Sequence, residues 1–516
     1  MSQWDADAIV IGSGFGGATV ALRLGQAGRT VMLLERGRRY ALDDFPDSSK
    51  DANRIFWRQR KDPNARGLYE LAVYADLAAI VASGLGGGSL IWANVFARPD
   101  PVVFEDSRWP QGITREALDP LYDHIIAGLG ASPVPAGLNL AKRTQFRAAA
   151  ESIGERHYDP PQAVTWDGHA GPGREACRLC ASCELTCRFG AKNTLDYRYL
   201  AHAEHTLGCQ VRTDALVTHI ERVDDGYAVH GINTPDGSPF RTTAPHVVVA
   251  AGTLGTLDIL FRSRDAAATL PRLSDRLGHG ISCNGDYFGN IVDTAQPVNG
   301  HHGPDVTTIL VAAGDDAPFT VVAPSFNKEA MTFLAAQGQL RGFPIPLVSD
   351  AAWRTMDDAI PAVFASGMVR DTIARPPEGT PDPARMTNLF AIGRDNAGGR
   401  ASFEHDRVEI RWAYAKENAA LVARMDTMLG KLAKAYGGRY APLATWSFFK
   451  KPLTVHPLGG CAMADAATEG VVRPSGEVHG YPGLFVADGS MLPTSLGVHP
   501  ALTIAALAER VAAGMV

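Results

Sequence analysis

The sequence has no run of lysine or arginine, and its net charge is small for its length. Its 516 residues include 49 basic and 55 acidic side chains, which gives a formal net charge of −6. Proteins that bind nucleic acid present a concentrated positive surface, so nucleic acid is not an expected partner. The length is sufficient for two or more domains, each with an apolar core.

Long apolar segments are also missing. The most apolar region, residues 71–97, contains Asp76 and a group of glycines, so it is not a candidate membrane span. A strand-like segment starts soon after Met1 and leaves no room for the three regions of a signal peptide. We therefore expect a cytoplasmic protein with no membrane span.

Cysteine is scarce and unevenly distributed. Four of the seven cysteines lie together, namely Cys177, Cys180, Cys183 and Cys187. In a long chain expected inside the cell, such crowding indicates a metal site rather than disulfides. The spacing Cys-x2-Cys-x2-Cys-x3-Cys is that of bacterial ferredoxins and predicts an iron–sulfur cluster, although Arg188 rather than proline follows the fourth cysteine. Structural zinc, and unliganded or disulfide-bonded thiols, are the alternatives.

The start of the chain has the pattern of a dinucleotide-binding unit. An apolar strand leads into the segment GSGFGG at residues 12–17, a helical stretch follows, and a second apolar strand ends at Glu35. Gly12 permits a tight turn, Gly14 and the neighbouring Phe15 lie where the backbone approaches a pyrophosphate, and Gly17 lets the helix pack on the strand. Glu35 would accept a hydrogen bond from a ribose 2′-hydroxyl, which favours FAD or NAD over NADP.

The rest of the chain divides into two kinds of sequence. Glycine-punctuated strands continue to about residue 286 and resume at 451–516, whereas residues 287–450 contain alternating strands between spacers rich in proline and glycine. We predict an α/β fold, α+β overall, in which residues 1–286 and 451–516 form a discontinuous Rossmann-like domain. A cysteine-bearing insertion covers about 171–192, and residues 287–450 form a substrate domain with a mostly antiparallel sheet.

Five motifs, in order, resemble the glucose-methanol-choline (GMC) family of flavoprotein oxidoreductases, in the branch that contains cholesterol oxidase. They are the N-terminal glycine segment, GLGGGSLI, VVVAAGTLGT, HPLGGC and LFVADGSMLPTSLGVHPALTI, and they extend over nearly the whole chain. The resemblance implies bound FAD and oxidation of an alcohol to a carbonyl. It also implies that Gly88 and Asn94 lie near the flavin, Val217 near the adenine and Asp488 near the ribityl-pyrophosphate.

The last two motifs each contain a candidate catalytic histidine. His456 is the predicted base for the hydroxyl proton, because imidazole titrates near neutral pH, and His499 would hydrogen-bond the same oxygen. Pro500 marks the start of a helix whose positive end would stabilise reduced flavin. Sterol oxidases of the family typically have asparagine where His499 stands, so sterol-like, glycosidic and other secondary alcohols stay open as substrates. Four aromatic residues are candidates either for an apolar substrate cavity or for plain core, namely Trp353, Phe364, Phe390 and Trp412.

The cysteine spacing also bears on the electron acceptor. Cys177, Cys183 and Cys187 match the spacing in flavin dehydrogenases of the family that carry a three-iron cluster, and such clusters transfer one electron at a time. We therefore expect electrons to leave for an external acceptor, either a protein or a quinone. The alternatives are an oxygen-using alcohol oxidase with structural zinc, a flavin-containing lyase without redox chemistry, and a non-catalytic electron-transfer module.

Overall fold

The computed structural model describes residues 4–45, 52–168, 170–185, 187–313, 318–336, 349–443 and 445–516. Within these ranges the strands, in chain order, are β1 (Ala8–Ile11), β2 (Val31–Leu34), β3 (Tyr69–Val73), β4 (Ala78–Ala82), β5 (Arg156–Tyr158), β6 (Gln210–Arg212), β7 (Ala215–Val223), β8 (Gly226–Asn233), β9 (Pro239–Ala244), β10 (His246–Val249), β11 (His279–Ser282), β12 (Tyr287–Val292), β13 (Ile309–Ala312), β14 (Phe319–Val322), β15 (Thr387–Ile392), β16 (Gly399–Glu404), β17 (Arg407–Arg411), β18 (Arg439–Pro442), β19 (Leu453–Thr454), β20 (Leu458–Gly460) and β21 (Leu484–Val486). The α-helices are α1 (Phe15–Gln26), α2 (Ala52–Ile55), α3 (Arg115–Gly128), α4 (Ala141–Ser152), α5 (Ala201–His205), α6 (Gly252–Phe261), α7 (Lys328–Ala336), α8 (Asp350–Arg354), α9 (Met356–Ala365), α10 (Met368–Ala374), α11 (Tyr414–Glu417), α12 (Ala419–Ala435) and α13 (Ala501–Met515).

A parallel sheet of five strands forms the first layer, in the order β6-β2-β1-β10-β21. Every residue of β1, β21 and the VVV segment of β10 is buried, as in a parallel sheet covered on both faces. Helix α1 follows β1 directly after the glycine turn and packs against α13 from the far end of the chain. The predicted α/β fold with a Rossmann-like unit is confirmed.

The second layer is a six-stranded antiparallel sheet in the order β18-β12-β15-β14-β13-β5. Five of its strands come from residues 287–450, but the edge strand β5 comes from residues 156–158. A separate four-stranded antiparallel sheet, β17-β16-β11-β20, also combines strands from both sides of residues 286 and 450. The domain boundaries at these two positions stay a prediction.

One face of the six-stranded sheet is directed toward the start of α13. On this face Phe288 is paired with Phe390, which in turn is paired with Val322 on the next strand. Side chains two residues apart share a face, so Thr320 belongs to the same surface, and its Oγ1 donates to the backbone oxygen of Gly497 at 2.8 Å. The two layers therefore meet at the loop that precedes α13.

The helices in the described ranges include none that is both long and apolar enough to cross a membrane.

Candidate active site

The predicted dinucleotide residues lie together at the carboxyl edge of the parallel sheet. Gly12 follows β1, Glu35 follows β2, and Asp488 comes two residues after β21. The carboxyl ends of parallel strands in a doubly wound sheet are where such folds bind their ligands. The structure thus brings these three residues to one edge from positions that span most of the chain.

The glycines of this edge serve two different purposes. Gly12 has a φ of +100°, and a Cβ on Gly17 would lie 2.0 Å from the oxygen of Gly12, so both positions require glycine for backbone packing. Gly14 and Gly88 differ, because a Cβ at either position would meet nothing within 4 Å. A Cβ on Gly87 would lie 2.7 Å from Cα of Gly14, so the GLGGGS segment rests on the N-terminal glycine turn. The open space beside Gly14 and Gly88 fits a bound dinucleotide.

Glu35 is already engaged by the protein. Its carboxylate accepts hydrogen bonds from Ser13 Oγ at 2.5 Å and from the backbone N–H of Gly37 at 2.9 Å. Burial raises the pKa of Glu35, and these hydrogen bonds oppose that effect. The backbone N–H of Ala215 donates to the oxygen of Glu35 at 2.9 Å, which places the buried Val217 two residues farther along β7, close to the same edge.

Asp488 is buried and fully hydrogen-bonded. One oxygen accepts from the backbone N–H and the hydroxyl of Ser490 at 2.9 and 2.6 Å, and the other accepts from Thr256 Oγ1. Burial raises the pKa of this carboxyl, and the Ser490 and Thr256 contacts act against the increase. The aspartate therefore ties the end of β21 to helix α6.

His456 is held by a buried carboxylate. The histidine lies between β19 and β20, and its Nδ1 is 2.9 Å from Oδ1 of Asp286. The second oxygen of Asp286 accepts from Thr454 Oγ1 at 2.8 Å and from the backbone N–H of Val455 at 2.9 Å. An ionised carboxylate only accepts, so Nδ1 of His456 is the donor, and in a neutral ring Nε2 is then the acceptor.

The loop that carries Asp286 is fixed by a second buried aspartate. Asp395 accepts hydrogen bonds from Ser282 Oγ at 2.8 Å and from the backbone N–H groups of Cys283 and Gly285 at 2.9 and 3.0 Å. Burial raises the pKa of Asp395, and these donors offset part of the effect. The turn between β11 and β12 is therefore held rigidly by its polar groups.

Asn284 connects the same turn to the second histidine. Its Nδ2 donates to the oxygen of Val498 at 2.8 Å, and its Oδ1 accepts from the backbone N–H of Leu496 at 2.8 Å. These bonds fix the segment that ends at His499. One short turn thus positions both predicted catalytic histidines.

His499 faces His456 from the start of α13. The two ring centroids are 5.4 Å apart, and the rings are at 80° to one another. His499 is buried, and its Nδ1 has no hydrogen-bond partner among the described residues. Burial first, and the proximity of His456 second, lowers the pKa of His499 well below its usual range, so the ring is neutral.

Helix α13 begins one residue later than the sequence predicts. Pro500 is the N-cap residue, because its oxygen accepts the first intrahelical bond from Ile504 N–H at 2.9 Å, and helical structure begins at Ala501. His499 consequently lies beside the N-cap, within reach of the positive end of the helix dipole.

Of the aromatic residues considered for a substrate cavity, Phe390 is the one that lies beside the histidines. Its ring centroid is 5.5 Å from that of His456 and 6.2 Å from that of His499, and it stacks on Phe288 at 4.3 Å. The other three residues, Trp353, Phe364 and Trp412, each pack against an aromatic ring elsewhere in the structure. An apolar aromatic wall therefore borders the histidine pair.

Two parts of the chain match one known protein family. Residues 6–279 and 402–508 match the N- and C-terminal parts of the family described as GMC oxidoreductase. The chain belongs to the GMC oxidoreductase family. It is accordingly an FAD-dependent alcohol oxidoreductase, and the FAD prediction is confirmed.

Three curated relatives of this GMC protein match over at least nine tenths of their own length. A cholesterol oxidase of Mycobacterium tuberculosis (strain ATCC 25618 / H37Rv) is 31% identical over 98% of this chain and 90% of its own. A cholesterol oxidase of Acinetobacter baumannii is 27% identical over 99% and 94%, and paromamine 6′-oxidase of Streptomyces fradiae is 25% identical over 98% and 90%. Among solved structures, pyridoxine 4-oxidase from Mesorbium loti has the same fold, with a TM-score of 0.65, 15% identity and 99% coverage of both chains.

The segment predicted to lie beside the flavin, residues 87–94 (the flavin segment), has unpaired polar groups. Both amide atoms of Asn94 and Nε1 of Trp92 are buried and have no hydrogen-bond partner in the described ranges. Trp92 also packs edge-on against Phe15 at the start of α1, with centroids 4.8 Å apart. Buried polar atoms without partners are costly, so their presence beside the open glycines fits a site completed by FAD.

The four predicted cysteine ligands line one small cavity together with Asn94 and Lys192. Cys180 is exposed and the other three are half-buried. Within the described residues, no group of three histidine, cysteine or acidic side chains is close enough to hold a single metal ion.

The backbone of the cysteine loop contains two left-handed residues and one N–H group directed at a cysteine sulfur. The backbone N–H of Leu179 donates to Sγ of Cys177 at 3.5 Å. Leu179 and Ala181, on either side of Cys180, both have a φ of +55°, a left-handed conformation that non-glycine residues seldom adopt. Turns of this kind direct successive N–H groups into one concavity, as in many iron–sulfur sites. The residues therefore fit the predicted cluster, although the comparisons give it no support.

Burial alone would keep Cys177 and Cys183 protonated. It raises the pKa of Cys177 to about 11 and raises that of Cys183 further. The thiolate is the form that binds metal, so the loop needs a strong positive partner for both cysteines to ionise.

Sequence reasoning missed Asp286, Asn284, Asp395 and Lys192. The signal for Asp286 was a carboxylate in the polar turn CNGD just before an alternating strand, but His456 is 170 residues away. The signal for Lys192 was a basic residue five positions after Cys187, in the otherwise neutral segment FGAKNTL. Neither signal identifies a partner without the fold.

Proposed function

We propose that this enzyme oxidises an uncharged, largely apolar secondary alcohol to a carbonyl, with His456 as the base. The observation that carries the proposal is the hydrogen bond of 2.9 Å between His456 Nδ1 and the buried Asp286, beside a second, neutral histidine. A general base needs a fixed tautomer and a free nitrogen, and Asp286 provides the first condition.

Three side chains, Asp286, His456 and His499, have different roles at the substrate hydroxyl. Asp286 keeps the proton on Nδ1 of His456, so Nε2 takes the proton of the alcohol. His499, held neutral by burial, hydrogen-bonds the same oxygen and fixes the direction of the carbinol C–H bond. FAD, when bound along the glycine edge, supplies the acceptor for the hydride.

The wall beside the histidines supports an apolar substrate. Phe390 and Phe288 stack along the sheet face that leads to His456, and Val322 continues it. A flat, apolar alcohol would gain contact area there, whereas a sugar would leave its hydroxyl groups without partners. The relatives named cholesterol oxidase are in keeping with a sterol-like alcohol.

We also propose that electrons leave through an iron–sulfur cluster held by Cys177, Cys183 and Cys187, with Cys180 as a further ligand. When bound, the cluster would supply a one-electron carrier near the flavin segment. The support is the shared cavity and its wall residue Asn94, which is also a predicted flavin neighbour. The second candidate is an oxygen-using oxidase, which the names of the curated relatives favour.

One sample tests both parts. Anaerobically purified protein is assayed for FAD, iron and acid-labile sulfide, and is then mixed with sterols, aliphatic secondary alcohols and sugars while flavin absorbance is followed. We expect bleaching by apolar alcohols that His456→Gln abolishes without loss of FAD. Bleaching by sugars alone, or full activity in His456→Gln, would contradict the substrate or the base.

The electron exit is tested with matched cysteine variants. Cys177→Ser should lose iron and sulfide, whereas Cys209→Ser, at a buried cysteine whose Sγ contacts the oxygen of Ala21, should retain both. Protein that contains FAD but no iron, and that releases peroxide with alcohol, would instead be the oxidase.

A further inference from the structure

Lys192 lies between the flavin segment and the cysteine loop. Its side chain is buried, with 2% of its surface exposed, and it lines the cavity that the four cysteines share. Its Nζ donates to the backbone oxygen of Leu90 at 2.9 Å and to that of Cys183 at 2.7 Å. Leu90 ends the turn that begins at Gly87, so one ammonium group connects both predicted redox sites.

The position of Lys192 is fixed by its own backbone and its neighbours. Nη2 of Arg174 donates to the oxygen of Lys192 at 3.0 Å, and the backbone N–H of Leu195 donates to Ser89 Oγ at 3.1 Å. Both ends of the segment from residue 192 to residue 195 are therefore fixed near the two loops that Nζ of Lys192 connects. Movement of the charge away from the cavity would break several buried hydrogen bonds.

The charge of Lys192 has no matching carboxylate. Among the described residues, no acidic oxygen lies within 4.0 Å of its Nζ, and its two acceptors are neutral carbonyls. Cys183 and Cys187 line the same cavity as Lys192. A buried cation is stable only with an anionic partner, and the thiolates of these cysteines would supply one.

We infer that Lys192 is the cationic partner of the cysteine cavity and raises the reduction potential of the cluster bound there. This inference rests on the cluster assigned above. A cluster held by thiolates is negatively charged, and one-electron reduction adds a further negative charge, which a nearby ammonium stabilises. An ammonium also has three N–H donors, of which two reach carbonyls, so one is left for the cavity. Lys192 acts as a positioning and potential-setting residue, not as a catalytic one.

The test is an anaerobic redox titration of the holoenzyme, with the cluster followed by EPR. Lys192→Met and Lys192→Gln remove the charge, and Lys192→Arg retains it. The matched control is Arg178→Met, which removes a cation that lines the same cavity but is 63% exposed and paired with Glu175. Iron, sulfide, FAD and the circular dichroism spectrum are measured for every variant.

We expect each neutral variant to shift the ratio of reduced to oxidised cluster at least about tenfold toward the oxidised form at a fixed potential, which is about 59 mV for one electron. Lys192→Arg and Arg178→Met should both stay within about threefold of the parent protein. An unchanged potential in a neutral variant that retains its cluster overturns the inference, as does an equal shift in Arg178→Met.

If the Lys192 variants do not fold, a measurement on the parent protein tests the same inference. Protein containing lysine labelled with ¹⁵N at Nζ should show a ¹⁵N coupling in the pulsed EPR spectrum of the paramagnetic cluster, and absence of the coupling contradicts the inference. If the parent protein contains no iron or sulfide, the electron exit assigned above fails first, and Lys192 loses its partner with it.

Discussion

Replacement of Asp286 by asparagine changes the tautomer of His456 with almost no change in shape. Oδ2 of Asp286 accepts from the backbone N–H of Val455, a donor that cannot reverse its role. The asparagine oxygen must therefore take that side, and its NH₂ group must face Nδ1 of His456. The neutral ring then has to accept at Nδ1 and carry its proton on Nε2, the nitrogen that would receive the hydroxyl proton.

The expected cost is the whole contribution of the base. General base catalysis by a positioned side chain contributes about 100- to 10,000-fold, which corresponds to about 2.7–5.4 kcal/mol of activation free energy. Asp286→Asn should therefore slow flavin reduction by about that factor at saturating alcohol. Binding of FAD should be unchanged, because Asp286 contacts His456, Thr454 and Val455.

The assay is anaerobic stopped-flow reduction of the flavin in Asp286→Asn, His456→Gln and the double variant. If Asp286 acts only through His456, the double variant is no slower than His456→Gln alone. Two results would refute the reasoning: a rate for Asp286→Asn within about threefold of the parent enzyme, or losses that multiply in the double variant.

Three further outcomes are expected. Gly14→Ala should fold normally but lose FAD, measured as the ratio of flavin to protein absorbance, because its Cβ would enter the open space expected to hold the cofactor. Gly17→Ala should also lower Tm, because its Cβ would lie 2.0 Å from a backbone oxygen. Retention of FAD in Gly14→Ala would argue against the cofactor contact. Because the pKa of His499 is lowered in the folded protein, its ring takes up a proton below about pH 6.5 in the unfolded chain but stays neutral in the native one. The free energy of unfolding should therefore fall with decreasing pH by up to about 1.4 kcal/mol per pH unit. Chemical unfolding at several pH values should show a shallower dependence in His499→Asn, and equal slopes would contradict the assignment. Phe288→Ala should raise the KM for apolar alcohols while leaving FAD content unchanged, because it removes one ring of the partly exposed aromatic pair beside the histidines; an unchanged KM would place the substrate elsewhere.

The parts of the site that sequence could predict depend on local pattern. Gly12, Gly17 and Glu35 lie in one strand-turn-helix-strand unit, and the fold and the FAD assignment that follow from it are confirmed. His456 and His499 were predicted from two motifs, and their catalytic roles stay predictions, although the structure places their rings 5.4 Å apart.

The parts that could not be predicted depend on long-range packing. Asp286 reaches His456 because β11 and β20 are hydrogen-bonded neighbours, a pairing between residues far apart in the chain. Phe390 borders the histidines while Trp353 does not, and composition treats the two residues alike. In each case the deciding quantity is which strands pair, and no local pattern contains that information.

The strand order of the parallel sheet also has a consequence for biosynthesis. β1 and β10 are made well before their sheet is complete, because β10 acquires its outer neighbour, β21, only when residues 484–486 have been made. Asp488 and α13 emerge later still. A nascent chain would therefore hold an unpaired edge on β10 from the synthesis of residue 249 until that of residue 484, and such edges invite aggregation. FAD would be captured after translation, so cellular flavin supply and chaperones, rather than synthesis rate, should limit the yield of active enzyme.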